Sequence, residues 1–428
     1  MPLLDAYRLW LARQPDPFGP AGDPESLAPE GLPSLDGLSA HLAGRRGPRV
    51  VLSLFSGHDA AVAIVVDGDV RLNLELERFT RVKHDYGYRE DFLRHCLERA
   101  GLGLDDVGVV CLNQGLADAA KSRPGTVNNP CPVPMTGGRQ CVPFLARLQD
   151  HPIPALAVNH HVAHAASAFY TSPFARAAIL TLDGGGDQYA GTIGLGVGVG
   201  SRMGMLLNDL PYSNLAHWWQ KTCQHNWRIP PMHEHDSGFS AGKIMALAAY
   251  GRPDPALIHH LTARMGYNWQ VCADIAGVER VIDPSLGFNN GEDLSDTRSR
   301  RSQDAARALQ EVTNTEVSRL FHYLHDLIGF DDLCYAGGLA LNCVATEHAL
   351  GPSPFRDVHV PPCPNDAGIA LGMALYAWNQ LFPEEGRRAG YFSPYTGPVH
   401  APEALSAAVA QALGHGAGIA AAPVSGGD

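Results

Sequence analysis

One three-strand pattern occurs twice in this chain, about one domain apart. The first copy runs through "PRVVLSLFSGHDAAVAIVVDGDVRLNLELE". It predicts strands over 49–55, 60–66 and 69–77. The third alternates apolar and polar residues, as a half-buried strand does. "DGD" between the second and third is a hairpin signal, and "SGHD" between the first and second is a polar Gly turn. The second copy, "RAAILTLDGGGDQYAGTIGLGVGVGSRMGMLLNDLP", gives a strand at 177–182, an acidic Gly turn and two further strands.

Two such units facing each other enclose a cleft, with both Gly turns aimed at a ligand between them. Glycines let backbone N–H groups approach phosphates closely. This is the logic of the actin, sugar-kinase and Hsp70 ATPase architecture: an α/β fold of duplicated mixed sheets flanked by helices around a nucleotide cleft. Helical spacing adds "EDFLRHCLERAG" and "SAGKIMALAAYG". It also adds "SQDAARALQEVTNTEVSRLFHYLHDLIG" and a loop-to-helix segment, "PPCPNDAGIALGMALYAW". Four regions are expected. Residues 1–48 form an N-terminal arm, partly loop; 49–175 and 176–382 form the two halves; 383–428 is a Pro/Gly/Ala-rich linker. "LLDAYRLWLARQ" in the arm is read as a short amphipathic helix.

Composition narrows the partners. Lys+Arg number 32 against Asp+Glu 44, a net charge of −12, which argues against nucleic acid or an anionic membrane surface. The 9 cysteines include no CxxC pair, so neither a zinc ribbon nor a disulfide framework is signalled. No apolar run is long enough for a membrane span, and the N-terminus lacks a secretion signal. The expected location is the cytoplasm.

"NHHVAHAASAFYTSPF" puts three histidines within five positions. On a helix His160 and His164 share a face and are spaced to hold one metal ion. The glutamate of the HExxH proteases is absent. Asp183 ends a predicted strand and Asp366 sits at a loop-to-helix boundary. Two His and one or two Asp suit a divalent metal with open positions, although spacing alone does not join these four. The "GK" of "SAGK" is not a P-loop. "HEHD" at 233–236, with His217 and His225 nearby, is compatible with a second metal site. The same stretch is read instead as shaping an acceptor pocket, with Trp218, Trp219 and Trp227 as apolar walls.

Seven segments occur in an order that resembles the NodU/CmcH-type O-carbamoyltransferases. They are "LFSGHDAAVAIVVDG", "ERFTRVKHD", "NHHVAHAASAFYTSPF", "LTLDGGGD", "SAGKIMALAAYG", "GGLALNCVA" and "PNDAGIALGMALY". The resemblance covers about residues 49–395. It implies an actin-like ATPase (ASKHA) fold, similar to the ATPase that transfers threonylcarbamoyl groups to tRNA. It further implies that His160, His164, Asp183 and Asp366 hold a divalent metal, typically Fe(II), against nucleotide phosphates. Gly184, Gly185, Gly186, Gly242, Lys243, Gly337, Gly338 and Asn342 would surround ATP. His58 and Lys83 would belong to the transfer site. His58 is the natural base for a hydroxyl acceptor, and Lys83 a donor to the oxyanion.

The resemblance has departures. Family members continue into a domain that makes carbamoyl-adenylate from carbamoyl phosphate and ATP. No run like its "RMEFGPRALGNRS" occurs here, and residues 383–428 resemble the linker and entry to that domain; truncation, a split with a separate donor-forming chain as partner, and loss of donor synthesis would each account for this. Ser240 and Ala241 stand where acids are usual, and Ala249 where proline is common. The expected activity is ATP- and metal-dependent transfer of a carbamoyl group to a hydroxyl of a secondary metabolite, or the transfer half of that reaction. The alternatives are another phosphotransferase or ligase on this fold, or a non-catalytic nucleotide-binding subunit.

Overall fold

Both copies of the strand pattern form sheets, and the two sheets have the same wiring. The computed structural model describes residues 34–87, 89–113, 140–148, 151–186, 189–197, 203–207, 215–229, 241–265, 292–385 and 401–414. By their contacts they fall into two compact units, Met1–Phe392 and Ser393–Asp428. Among the described residues the second unit holds one helix, Pro402–Gly414.

The first unit opens with α1 (Leu35–Ala43) inside the stretch read as an arm. The Ser34 side chain caps it by accepting from the Gly37 N–H at 3.0 Å, and it buries Leu38 and Leu42. Strands β1 (Val50–Phe55), β2 (Ala61–Val66) and β3 (Asp69–Glu75) follow close to their predicted bounds. Asp67 and Gly68, at φ 49° and 87°, supply the two left-handed residues that a tight hairpin requires. A short helix α2 (Leu76–Thr80) and α3 (Glu90–Ala100) lead to β4 (Val107–Leu112). Next come β5 (Cys141–Leu148) and β6 (His151–Val158), then α4 (His160–Thr171).

The second half starts with β7 (Arg176–Gly186), β8 (Tyr189–Val197) and β9 (Met203–Leu207). Helices α5 (Leu215–His225), α6 (Ala241–Leu247), α7 (Pro255–Met265) and the long α8 (Arg300–Ile328) follow. Then come β10 (Asp332–Ala336), α9 (Cys343–Leu350), β11 (Asp357–His359) and α10 (Ile369–Leu381).

The sheet orders are β3-β2-β1-β4-β6-β5 and β11-β10-β7-β8-β9. In each, the first strand carries an antiparallel meander on one side and two parallel strands on the other. That repeated five-strand unit is the duplicated actin-like ATPase topology, with β5 added antiparallel at one edge. An edge is where Pro143 of β5 is tolerated, since proline cannot donate to a ladder. Among the described residues no helix is long and apolar enough to cross a membrane.

Helices α4 and α10 are buried along almost their whole length. They share one core with β1, β2, β4 and β6 of the first sheet and with β7 and β10 of the second. Small residues let them approach: a Cβ at Gly372 would collide with the Ala163 carbonyl oxygen. At its far end α10 is tied to the first sheet. The Arg49 guanidinium lies 4.8 Å from the Trp378 ring centre and 4.5 Å from that of Phe382, and pairs with Asp67 and Glu385.

The three tryptophans read as pocket walls belong to the core. Trp218, Trp219 and Trp227 are all buried. The Trp219 and Trp227 indoles donate to Thr313 and Ser302 of α8, each at 3.0 Å. The reason is periodicity: Leu215, Trp218, Trp219 and Cys223 form one apolar face of a helix, not a loop.

Replacing Gly372 with valine forces backbone apart where no side chain can yield. Overpacking of this kind costs about 1–3 kcal/mol. Gly372→Val is therefore expected to lower the melting temperature by several degrees, read by circular dichroism, and to weaken cation uptake by the adjacent histidines in the same preparation.

Candidate metal centre

Four of the residues singled out in the sequence converge. One ligand atom each from His160, His164, Asp183 and Asp366 lies within 4.8 Å of the others, and all four side chains are buried. The two histidines occupy consecutive turns of α4, with ring centres 4.8 Å apart. Asn159 starts that helix, its side-chain oxygen accepting from the His161 and Val162 N–H groups. Asp183 stands in β7 of the second sheet, where its strand meets the Gly turn. Asp366 opens the short turn that feeds α10.

The Asp183 carboxylate is held from the backbone. Asp183 accepts from the Gly338 N–H at 2.8 Å and from the Gly185 N–H at 3.2 Å. Gly337, at φ 95°, lies so close to Leu182 that any side chain would strike its carbonyl. Its own N–H donates to the Pro364 carbonyl at 2.7 Å. Hence the Gly337–Gly338 turn connects the Asp183 strand to the loop that presents Asp366. A Cβ at Gly186 would run into the His160 ring, so the Gly turn doubles as packing space for a ligand.

The donor set fits a cation. His160 Nε2 lies 3.4 Å from Asp183 Oδ2 and 3.6 Å from Asp366 Oδ1. His164 Nε2 lies 3.3 Å from Asp366 Oδ1 and 4.0 Å from Asp183 Oδ1. Yet neither ring nitrogen of His164 makes a hydrogen bond, although the ring is fully buried. An unsatisfied buried polar group costs about 1–3 kcal/mol, and a cation at Nε2 would satisfy it. Two imidazoles and two carboxylates, with coordination positions left over, suit a divalent transition metal. Burial pushes the Asp183 carboxyl upward. The hydrogen bond from His160 and the charges of the three histidines outweigh that and hold it well below the usual carboxylate range.

His58 adjoins this cluster. Its Nε2 is 3.4 Å from Asp366 Oδ2 and its Nδ1 is 3.2 Å from Asp59 Oδ2. Burial disfavours the charged ring, but the Asp366 charge and the Asp59 hydrogen bond and charge raise its pKa to about 9. A cation taking up the Asp366 charge would relieve the first of these, leaving an imidazole able to accept a proton.

The other sequence candidates are placed as follows. Lys83 reaches Glu77, with Nζ 2.8 Å from Oε1, and its side chain is 56% exposed. Gly184–Gly186 continue β7 beyond Asp183. Asn342 caps α9 and exchanges two side-chain hydrogen bonds with Gln310 of α8. Gly242 and Lys243 stand exposed on α6. The 233–236 histidine run and the proposed helix near the N-terminus lie outside the described residues. Sequence reading missed Gln310 and Asn314, which bond each other at 2.7 Å within this buried polar group. It also missed Asp59 and His84.

The family model described as "Carbamoyltransferase N-terminus" matches residues 140–375. Uncharacterized protein sll1178 of Synechocystis sp. is 28% identical over 364 residues, covering 77% of this chain and 56% of that protein. Nodulation protein NolNO of Sinorhizobium fredii is 29% identical over 359 residues, covering 81% and 50%. Nodulation protein NolO of Bradyrhizobium diazoefficiens is 30% identical over 257 residues, covering 58% and 43%. The chain thus spans about half the length of the curated relatives it matches. Among solved structures, component A of (R)-2-hydroxyglutaryl-CoA dehydratase from Acidaminococcus fermentans superposes with a TM-score of 0.43 at 13% identity. That match covers 78% of this chain and 98% of that one. The fold assignment rests on the strand topology rather than on this superposition.

Two outcomes are expected. His164→Ala lowers affinity for Mn(II) or Fe(II) more than about 100-fold, measured by equilibrium dialysis with elemental analysis; one retained equivalent would discard the site. In the chelator-treated chain, a His58 pKa raised from 6.5 to about 9 gives stability that is whole below pH 6.5 and lost as pH rises through 9. Denaturant midpoints should therefore fall over that window, and His58→Gln should flatten the fall.

Proposed function

Because the chain belongs to the carbamoyltransferase N-terminus family, we propose that it moves a carbamoyl group from carbamoyl-adenylate to a hydroxyl of a secondary metabolite. In this reading ATP enters as its adenylate, carbamoyl-adenylate, and a divalent cation, Fe(II), would be held by His160, His164, Asp183 and Asp366. The observation that carries it is the convergence of those four ligand atoms within 4.8 Å, with His58 Nε2 3.4 Å from Oδ2 of Asp366.

Carbamoyl-adenylate is a mixed anhydride. The acceptor oxygen bonds to the carbamoyl carbon, the carbon–oxygen bond to phosphate breaks, and AMP leaves with the electron pair. The acceptor proton goes to His58 Nε2, the ring nitrogen directed at the cluster. His160, His164 and the two aspartates keep a cation in place, which would supply Lewis-acid neutralisation of phosphate charge. The Gly185 and Gly338 N–H groups are already committed to Asp183, so the Gly turns serve the cluster first. Lys83 is held by Glu77 and would lend positive charge near the transfer loop, where a tetrahedral oxyanion needs it. The buried Gln310, Asn314 and Asn342 group adds amides to the Gly337–Gly338 turn as candidate contacts to the nucleotide.

The test supplies synthetic carbamoyl-adenylate with a panel of alcohols and sugars and follows carbamate ester and AMP by mass spectrometry. Product without added ATP is expected. His58→Ala should reduce kcat about 100-fold or more while nucleotide affinity, by calorimetry, stays within about twofold. Unchanged turnover would remove His58 from the role of base.

A further inference from the structure

The loop that carries His58 is locked by a second histidine. Asp59 at φ 59° and His84 at φ 55° hold left-handed backbone without being glycine, as does Arg81 at 63° where the preceding helix ends. Such conformations persist where the surroundings over-determine them, and they concentrate at functional sites. Asp59 and His84 also bond each other. His84 Nδ1 lies 2.6 Å from Asp59 Oδ1, while Asp59 Oδ2 faces His58 Nδ1 at 3.2 Å. Asn365, the neighbour of Asp366, gives Asp59 a further donor at 3.4 Å. Asp59 is buried, and as a carboxylate it only accepts, so both imidazoles donate to it from Nδ1.

His84 is fixed in turn. Its backbone N–H donates to Glu77 Oε2 at 3.1 Å, and Glu77 Oε1 accepts from Lys83. The two loops are stapled by Ala60 N–H to the Asp85 carbonyl at 3.0 Å and Gly87 N–H to the Ser56 carbonyl at 2.9 Å. Ligand atoms of Asp59, Glu77 and His84 also lie within 4.8 Å of one another. Here the hydrogen bonds already engage both acids, so the trio reads as a frame rather than a second cation site.

We propose that Asp59 and His84 are positioning residues for carbamoyl transfer: His84 pins Asp59, and Asp59 sets the His58 ring so that Nε2 faces the His160, His164, Asp183 and Asp366 cluster. The identity of the reaction rests on the function proposed above, whereas the ring orientation rests on geometry alone. Carboxylate-held imidazoles of this kind keep one tautomer and present the opposite nitrogen as base.

Three variants separate positioning from folding. Glycine suits φ 55°, so His84→Gly keeps the backbone and removes the donor. His84→Asn tolerates the same backbone and restores a donor near the Nδ1 position. Asp59→Asn removes the carboxylate. AMP release from carbamoyl-adenylate is followed with water and with methyl glucoside as acceptors. His84→Gly should lower kcat about tenfold with the donor KM within about twofold, and His84→Asn should recover most of it. In parallel, the His58 Nδ1–H is observed by NMR on imidazole-labelled protein and assigned by its absence in His58→Gln. It should be protected from exchange in the wild-type chain and in His84→Asn, broadened in His84→Gly and lost in Asp59→Asn. A Nδ1–H missing from the wild-type chain, or equally sharp in His84→Gly, overturns the proposal. So does a kcat for His84→Asn as low as that of His84→Gly. The expected NMR pattern with no AMP release from the wild-type chain upholds the positioning and refutes the transfer reading.

Discussion

The close crossing of α4 and α10 is the contact on which the rest depends. Two helices pack within backbone touching distance only where side chains vanish, and Gly372 against Ala163 provides that. Ala163 immediately precedes His164, and α10 begins three residues after Asp366. The crossing therefore sets the distance between an imidazole pair and a carboxylate. A looser pair would leave the same residues in the same order and no common point between them.

The fold was legible because one strand pattern is repeated. The strand–Gly turn–strand–turn–strand pattern of β1–β3 and β7–β9 predicts two meanders, and both appear. Strands β5 and β6 were not read, because Pro143, Pro152 and Pro154 look like loop punctuation. Their pairing comes from tertiary context at a sheet edge. The tryptophans show the opposite error: the helical spacing of Leu215, Trp218, Trp219 and Cys223 was present, and aromatic content distracted from it.

The site was legible in part. The spacing of His160 and His164 is a one-turn relation that any helix would realise. Asp183 and Asp366 are 183 positions apart, and no local rule joins them; the family resemblance supplied that grouping. Asp59 and His84 were missed for a more physical reason. Their roles depend on left-handed backbone at two non-glycine residues, and such a conformation leaves no trace in composition or periodicity.

The Gly337–Gly338 turn has a mechanical consequence. It grips Asp183 through one N–H and the Pro364 carbonyl through its neighbour, while the histidines descend from the end of the other sheet. A cation held by these four ligands would touch side chains hung from both sheets. The strand of one carboxylate and the loop of the other thus hang from a single bracket of two glycines.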